Sequence, residues 1–204
     1  VVPRADVAVI TNVAADHFGD YGVDTLDDLA RVKAVVANAL GADGLLVLNG
    51  DDATLRALPL AFAGRIAWFG EREDAPLLPP VGEMPLALGG AARHNVANAH
   101  AAALAADALG VSADSIDRVL RTFGSDNTDN AGRLERFDVG GMQVWFDYAH
   151  NPHGIAALLA AARAHVGDGR IGLLLGQAGD RDDDAIRALA HAAWEARPAH
   201  IVLK

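Results

Sequence analysis

The sequence predicts an α/β fold in two domains, residues 1–125 and 126–204. Three observations lead there. Short apolar runs rich in β-branched residues alternate with helical patterns, as βαβ units require. The stretch GSDNTDNAG, 124–132, is rich in turn-formers and reads as a linker. Beyond it, strands at 142–147, 171–176 and 200–204 enclose two helical segments, the β-α-β-α-β order of a parallel sheet covered on both faces.

In chain order, DVAVI at 6–10 is a strand that ends at Thr11-Asn12. TLDDLARVKAVVANAL, 25–40, follows as one amphipathic helix, with Thr25 and Asp28 forming a cap and Gly41 stopping it. Its expected inner row is Leu26, Leu29, Val36 and Leu40, and Lys33 falls on that same row. GLLVLNGDD at 44–52 and GRIAWFG at 64–70 are the next strands. Prolines 76, 79, 80 and 85 make 71–90 loop-like, with MPLAL (84–88) as a short edge strand. An alanine-rich helix spans 94–110, and Ser112 caps another that runs to about Phe123. The second half adds helices at 152–165 and 183–196.

A formal charge of −10 opposes nucleic acid and anionic lipid as partners. The absence of cysteine excludes disulfides and thiolate metal sites, and fits a reducing cytoplasm. No apolar run approaches ~20 residues, so no membrane span is expected. The N-terminus VVPRADVAVITN lacks the order of a signal peptide and starts almost inside a strand. The last strand would be a bare sheet edge, so both ends read as cuts through a longer protein.

In parallel α/β sheets, ligands sit beyond the carboxyl ends of the strands. DYAHNP places Asp147, Tyr148, His150 and Asn151 there, with Asn151 as cap and Pro152 at the first helical position. A second polar loop, GQAGDRDDD (176–184), ends the next strand. The plain alternative is a capped helix and a polar turn. Asp16 and His17 follow the first strand and offer oxygen and nitrogen ligands, or a solvated turn. Lys33 either snorkels from the apolar row or sits desolvated, with a nucleophilic amine able to take up carbon dioxide. That carbamate would bind Mg²⁺ beside His17. Asn95 and Asn98 lie on one helix face, as caps or as amides for an adenine edge. Arg133, in the linker, is a surface arginine or a phosphate ligand.

Taken in order, ITNVAADH, the Lys33 helix, LNGDD, LGGAARHNVANA, AGRLE, DYAHNP and GDRD resemble the Mur ligase superfamily. The 16-residue step from His17 to Lys33 and the phrase PLALGG resemble its cyanophycin synthetase branch most. The resemblance implies part of a central ATPase domain followed by a Rossmann-like parallel-sheet C-terminal domain. It implies a cytoplasmic ATP-dependent amide ligase that joins an amino acid to a peptide-like acid through an acyl phosphate. ATP and Mg²⁺ are the implied cofactors. His17 and carbamylated Lys33 would serve catalysis at the metal. Asn95 and Asn98 would approach adenine, and Arg133, Asp147, Tyr148, His150 and Asn151 would line the nucleotide.

A UDP-MurNAc-peptide ligase and a non-catalytic nucleotide-binding regulatory module are the alternatives. A metal hydrolase using Asp16, His17 and His150 lacks any supporting ligand spacing. The family's phosphate loop, G-x-x-G-K-[ST], occurs nowhere in the 204 residues, so the chain alone is expected to be inactive. Ala131 replaces the usual proline before Gly-Arg, and Gln177-Ala178 replaces a glycine-rich turn ahead of Asp180 and Arg181. Oligomeric state is not encoded in any motif.

Overall fold

The computed structural model describes residues 4–14, 22–176 and 183–204. The chain divides into two compact units, Val1–Glu83 with Asn95–Arg121, and Met84–His94 with Thr122–Lys204. Both are α/β, with parallel strand pairing in each. No helix among the described residues is long and apolar enough to cross a membrane.

The first unit is organised by its middle strand. β1 (Ala5–Ile10), β2 (Leu40–Asn49) and β3 (Arg65–Phe69) form a parallel sheet in that order. Leu45, Leu46, Val47 and Leu48 of β2 are all buried, because alternate side chains enter opposite cores. Leu46 and Leu48 pack with Ile10, and with Leu29 and Ala30 of α1 (Leu26–Ala34) and Leu55 of α2 (Ala53–Ala57). Leu45 and Val47 pack with Phe69 and with Ala101 of α3 (Arg93–Ala108). Helices therefore cover both faces. A shorter helix, α4 (Ala113–Leu120), is capped by Ser112 and buries Ile116 and Leu120.

Two expectations change in this region. The helix from Thr25 does not run to Leu40; α1 ends at Ala34, a 3-10 turn covers Val35–Ala39, and β2 starts at Leu40. The β-branched pair Val35-Val36 propagates an α-helix poorly, which favours the tighter turn. The buried row is also rotated. Leu29, Ala30 and Ala37 face the core, whereas Leu26 is 39% and Val36 45% exposed. Lys33 lies on the true inner face, partly buried.

In the second unit, β4 (Glu135–Val139) and β5 (Met142–Phe146) form an antiparallel hairpin. Gly140 and Gly141 both have positive φ, the requirement of a two-residue type I′ turn. α5 (Pro152–Val166), β6 (Gly172–Leu175), α6 (Asp183–Glu195) and β7 (His200–Leu203) follow, and β6 pairs parallel with β7. Their core is Ile155, Leu159, Leu175, Leu189 and Ala193. The expected β/α alternation is present, but β5 takes β4 as its partner instead of β6. MPLAL is not a strand: Pro85–Gly90 is a 3-10 segment in which Leu88 and Gly89 have positive φ, incompatible with extended pairing.

The orientation of α1 is testable by denaturation of the whole chain. Leu29→Ala is expected to cost about 2–5 kcal/mol, while Val36→Ala stays within about 0.5 kcal/mol. Equal losses would restore the originally expected inner row.

Candidate functional site

Three strand ends meet at the carboxyl rim of the first sheet, where an open α/β architecture places ligands. Cross-links tie them together. Lys33 Nζ donates to the Asn12 carbonyl at 2.9 Å, so this lysine reaches the stretch that follows β1. Asn49 Nδ2 donates to Thr11 O at 2.9 Å. Asp52 Oδ2 accepts the Val13 N–H at 2.6 Å, while its Oδ1 accepts Thr54 and Leu55 N–H groups and caps α2. Asp16 and His17 lie outside the described residues.

The third strand end is fastened similarly. Asp51 Oδ2 accepts the Glu71 N–H at 2.6 Å. A Cβ at Gly70, where φ is +140°, would run into that Oδ2, so glycine is favoured there. Arg56 donates from Nε to Gly50 O, pairs with Glu73 and lies 4.1 Å over the Trp68 ring. Beneath this rim His100 is only 2% exposed. Its Nδ1 accepts the Gly70 N–H at 3.4 Å, and its Nε2 has no partner among the described residues. Burial pushes its pKa down, against the opposing influence of the Gly70 hydrogen bond and of Glu73. Asn95 and Asn98 stand one turn apart on α3, half-buried and exposed respectively.

In the second unit the predicted residues Arg133, Asp147, Tyr148, His150 and Asn151 do come together. Asp147 Oδ2 accepts Leu134 N–H at 2.9 Å and Oδ1 accepts Ala149 N–H at 2.7 Å. Tyr148 N–H returns to Gly132 O at 2.9 Å, closing the loop around Arg133. Leu134 is held at φ +49°, a conformation that costs a residue with a Cβ about 1–2 kcal/mol. Its side chain is buried with Ala92 and Ala161, which offsets that strain. The Arg133 guanidinium lies 5.2 Å over the exposed Tyr148 ring and has no carboxylate partner among the described residues. His150 also packs against the Tyr148 ring, with centroids 5.2 Å apart and Nδ1 3.0 Å from Tyr148 O. Asn151 caps α5 by accepting the Gly154 N–H.

This cluster offers a guanidinium fork without a carboxylate partner among the described residues and an aromatic face, and each Asp147 oxygen keeps a lone pair for a hydroxyl donor. Sequence reasoning missed His94. Burial lowers its pKa, and the Asp147 carboxylate opposes that while His153 adds to it. The signal was present in RHNVANA, which drew attention only for its asparagines. Asn49, Asp51, Asp52 and His100 were also missed, although LNGDD stood out as a motif. Asp180 and Arg181 lie outside the described residues.

Residues 2–106 match the family described as Mur ligase middle domain, and residues 132–203 the Mur ligase, glutamate ligase domain. The cyanophycin synthetase of Trichormus variabilis is 34% identical over 89% of this chain and 23% of its own length. The UDP-N-acetylmuramate–L-alanine ligase of Clavibacter sepedonicus is 35% identical over 81% of this chain and 36% of its own. Among solved structures, MurF of Acinetobacter baumannii has a TM-score of 0.70 at 22% identity, covering 98% of this chain and 47% of that one. A bifunctional folylpolyglutamate synthase/dihydrofolate synthase has a TM-score of 0.62, also at 22% identity, over 97% and 47%. These structural likenesses establish the fold. The chain spans about a quarter of the length of the cyanophycin synthetases it matches.

The imidazoles of buried His100 and half-buried His94 predict an acid-side loss of stability. His94 and His100 both resist protonation when folded, so the unfolded chain binds protons first as pH falls below its ordinary histidine range of about 6.5. Stability is complete above that range and declines below it. His100→Gln is expected to shrink the drop in urea midpoint between about pH 7.5 and about pH 5.5. An undiminished drop would remove His100 as a source.

Proposed function

Since the chain belongs to the Mur ligase family, we propose that it forms the sheet-rim and nucleotide-facing parts of an ATP-dependent amide ligase. The observation that carries this reading is the match along 89% of the chain to cyanophycin synthetases at 34% identity. In the proposed reaction a substrate carboxylate oxygen attacks the γ-phosphorus of ATP, and the bond to the bridging oxygen breaks, releasing ADP. An amino acid's amine then attacks the acyl carbon of the acyl phosphate. Phosphate leaves with the bonding electrons, and the amine loses a proton as the amide forms.

The work of these residues would be positioning and charge neutralisation. Arg133 would hold phosphate oxygens through its N–H fork. Asp147, Tyr148, His150 and Asn151 would receive ribose and neighbouring groups, and Asn95 and Asn98 would offer amides to adenine. Lys33 as an ammonium is no ligand for a cation. Only as its carbamate would it present the oxygens that Mg²⁺ takes, with His17 as the second proposed ligand. Among the described residues no three His, Cys, Asp or Glu side chains converge on a metal position. Mg²⁺ there would neutralise phosphate charge.

The nearer reading is a cyanophycin-synthetase-like addition of an amino acid to a peptide-like acid. The 35% identity to UDP-N-acetylmuramate–L-alanine ligases favours wall-peptide ligation as the second. Phosphate release from Mg-ATP by the full-length protein, with amino acids added singly to a peptide acid or to UDP-N-acetylmuramate, separates them. Release with neither acceptor, despite ATP binding, would instead indicate a regulatory module.

Two substitutions in the full-length protein test the residues. Lys33→Ala is expected to reduce amine-dependent phosphate release to background with the fold retained, and full activity would sink the carbamate assignment. Asp147→Ala is expected to weaken ATP binding by about tenfold or more. An unchanged dissociation constant by calorimetry would remove Asp147 from the nucleotide site.

A further inference from the structure

The Lys33 ammonium is met by a backbone carbonyl, that of Asn12, and by no carboxylate among the described residues. A main-chain acceptor can hold an amine in place only if the main chain is itself held. On either side of Asn12 it is. Thr11 O accepts from Asn49 Nδ2, and Val13 N–H donates to Asp52 Oδ2 at 2.6 Å, the short distance of a charge-assisted bond. Val13 is buried, so its N–H has no recourse to water if that acceptor is lost.

We propose that Asn49 and Asp52, the polar residues at and just beyond the end of β2, are positioning residues for Lys33. By clamping Thr11 and Val13 they present the Asn12 carbonyl to Nζ and hold the amine at the sheet rim. This rests on the reading of Lys33 as the site lysine. The clamp is built into the fold: the stretch of β2 that leads to Asn49, Gly44–Leu48, is buried. Each clamp residue also has a local duty on a separate atom. Asn49 Oδ1 accepts the Asp51 N–H, and Asp52 Oδ1 caps α2.

That division of labour allows isosteric substitutions to remove the clamp alone. Asn49→Asp keeps an oxygen for Asp51 and loses the donor to Thr11. Asp52→Asn leaves one side-chain oxygen where N–H groups on two sides need one, so the cap and the Val13 bond cannot both survive. Asp51→Asn is the control, because Asp51 ties β3's loop through Glu71 and not the β1 loop.

Lys33 and Lys204 are the only lysines in the chain, so acetylation by N-hydroxysuccinimidyl acetate, read by mass spectrometry, reports Lys33 against an internal reference. In the 204-residue chain, Asn49→Asp and Asp52→Asn are each expected to raise the Lys33 to Lys204 ratio about fivefold, the equivalent of one ordinary hydrogen bond. Asp51→Asn leaves it at the wild-type value. Circular dichroism and the urea midpoint establish that each variant is folded. A wild-type ratio in both folded clamp variants, or an equal rise in Asp51→Asn, overturns the inference. The assay needs neither ATP nor catalysis. Absence of ligase activity in the full-length protein would therefore sink the functional reading while leaving the clamp to stand or fall on the ratio.

Discussion

The burial of β2 on both faces is the constraint on which the first unit depends. Leu46, Val47 and Leu48 are completely removed from water, and no single layer of helices could achieve that for a strand whose side chains alternate. Helices α1 and α2 must cover one face and α3 the other. With both faces apolar, polar side chains can gather only at strand ends. The rim then concentrates Asn49, Asp51 and Asp52, and their bonds to the turns after β1 and β3 are what keep three strand ends in register.

The second unit solves a similar problem with one carboxylate. Asp147 accepts two main-chain N–H groups from different loops, and one of them belongs to a leucine held in a left-handed conformation. The hydrogen bond and the burial of Leu134 together sustain that conformation, and its consequence is the outward projection of Arg133 over Tyr148. A cation with no anionic partner among the described residues, beside an exposed aromatic face, adds little to stability. The nucleotide contact proposed above would use both groups.

Both units keep a histidine whose pKa burial lowers, His100 in the first and His94 in the second. An apolar residue at position 100 would avoid an Nε2 with no partner among the described residues, so the imidazole there trades stability for an acceptor to the Gly70 N–H. The acidic composition fits this picture: with 27 carboxylates against 17 basic side chains, exposed cations such as Arg133 are locally scarce and stand out electrostatically.

Periodicity and turn chemistry made much of this legible beforehand. The apolar run in GLLVLN marked the buried strand, Thr25, Ser112 and Asn151 marked helix starts, and DYAHNP marked the loop that brings Asp147, Tyr148 and His150 together. These are local properties, set by residues within a few positions of one another. Lys33 on an inner helix face was legible for the same reason, as was Leu29 beside it, but Leu26 and Val36 were expected in that row and are exposed. Which of Leu29 and Val36 faces inward depends on how α1 packs against β2, and the helix period alone leaves that rotation open. The pairing of β5 with β4, the clamp from Asn49 and Asp52 onto Thr11 and Val13, and the burial of His100 were decided by tertiary structure. Each joins residues whose distance in space is set by packing, and a linear pattern carries no term for that distance.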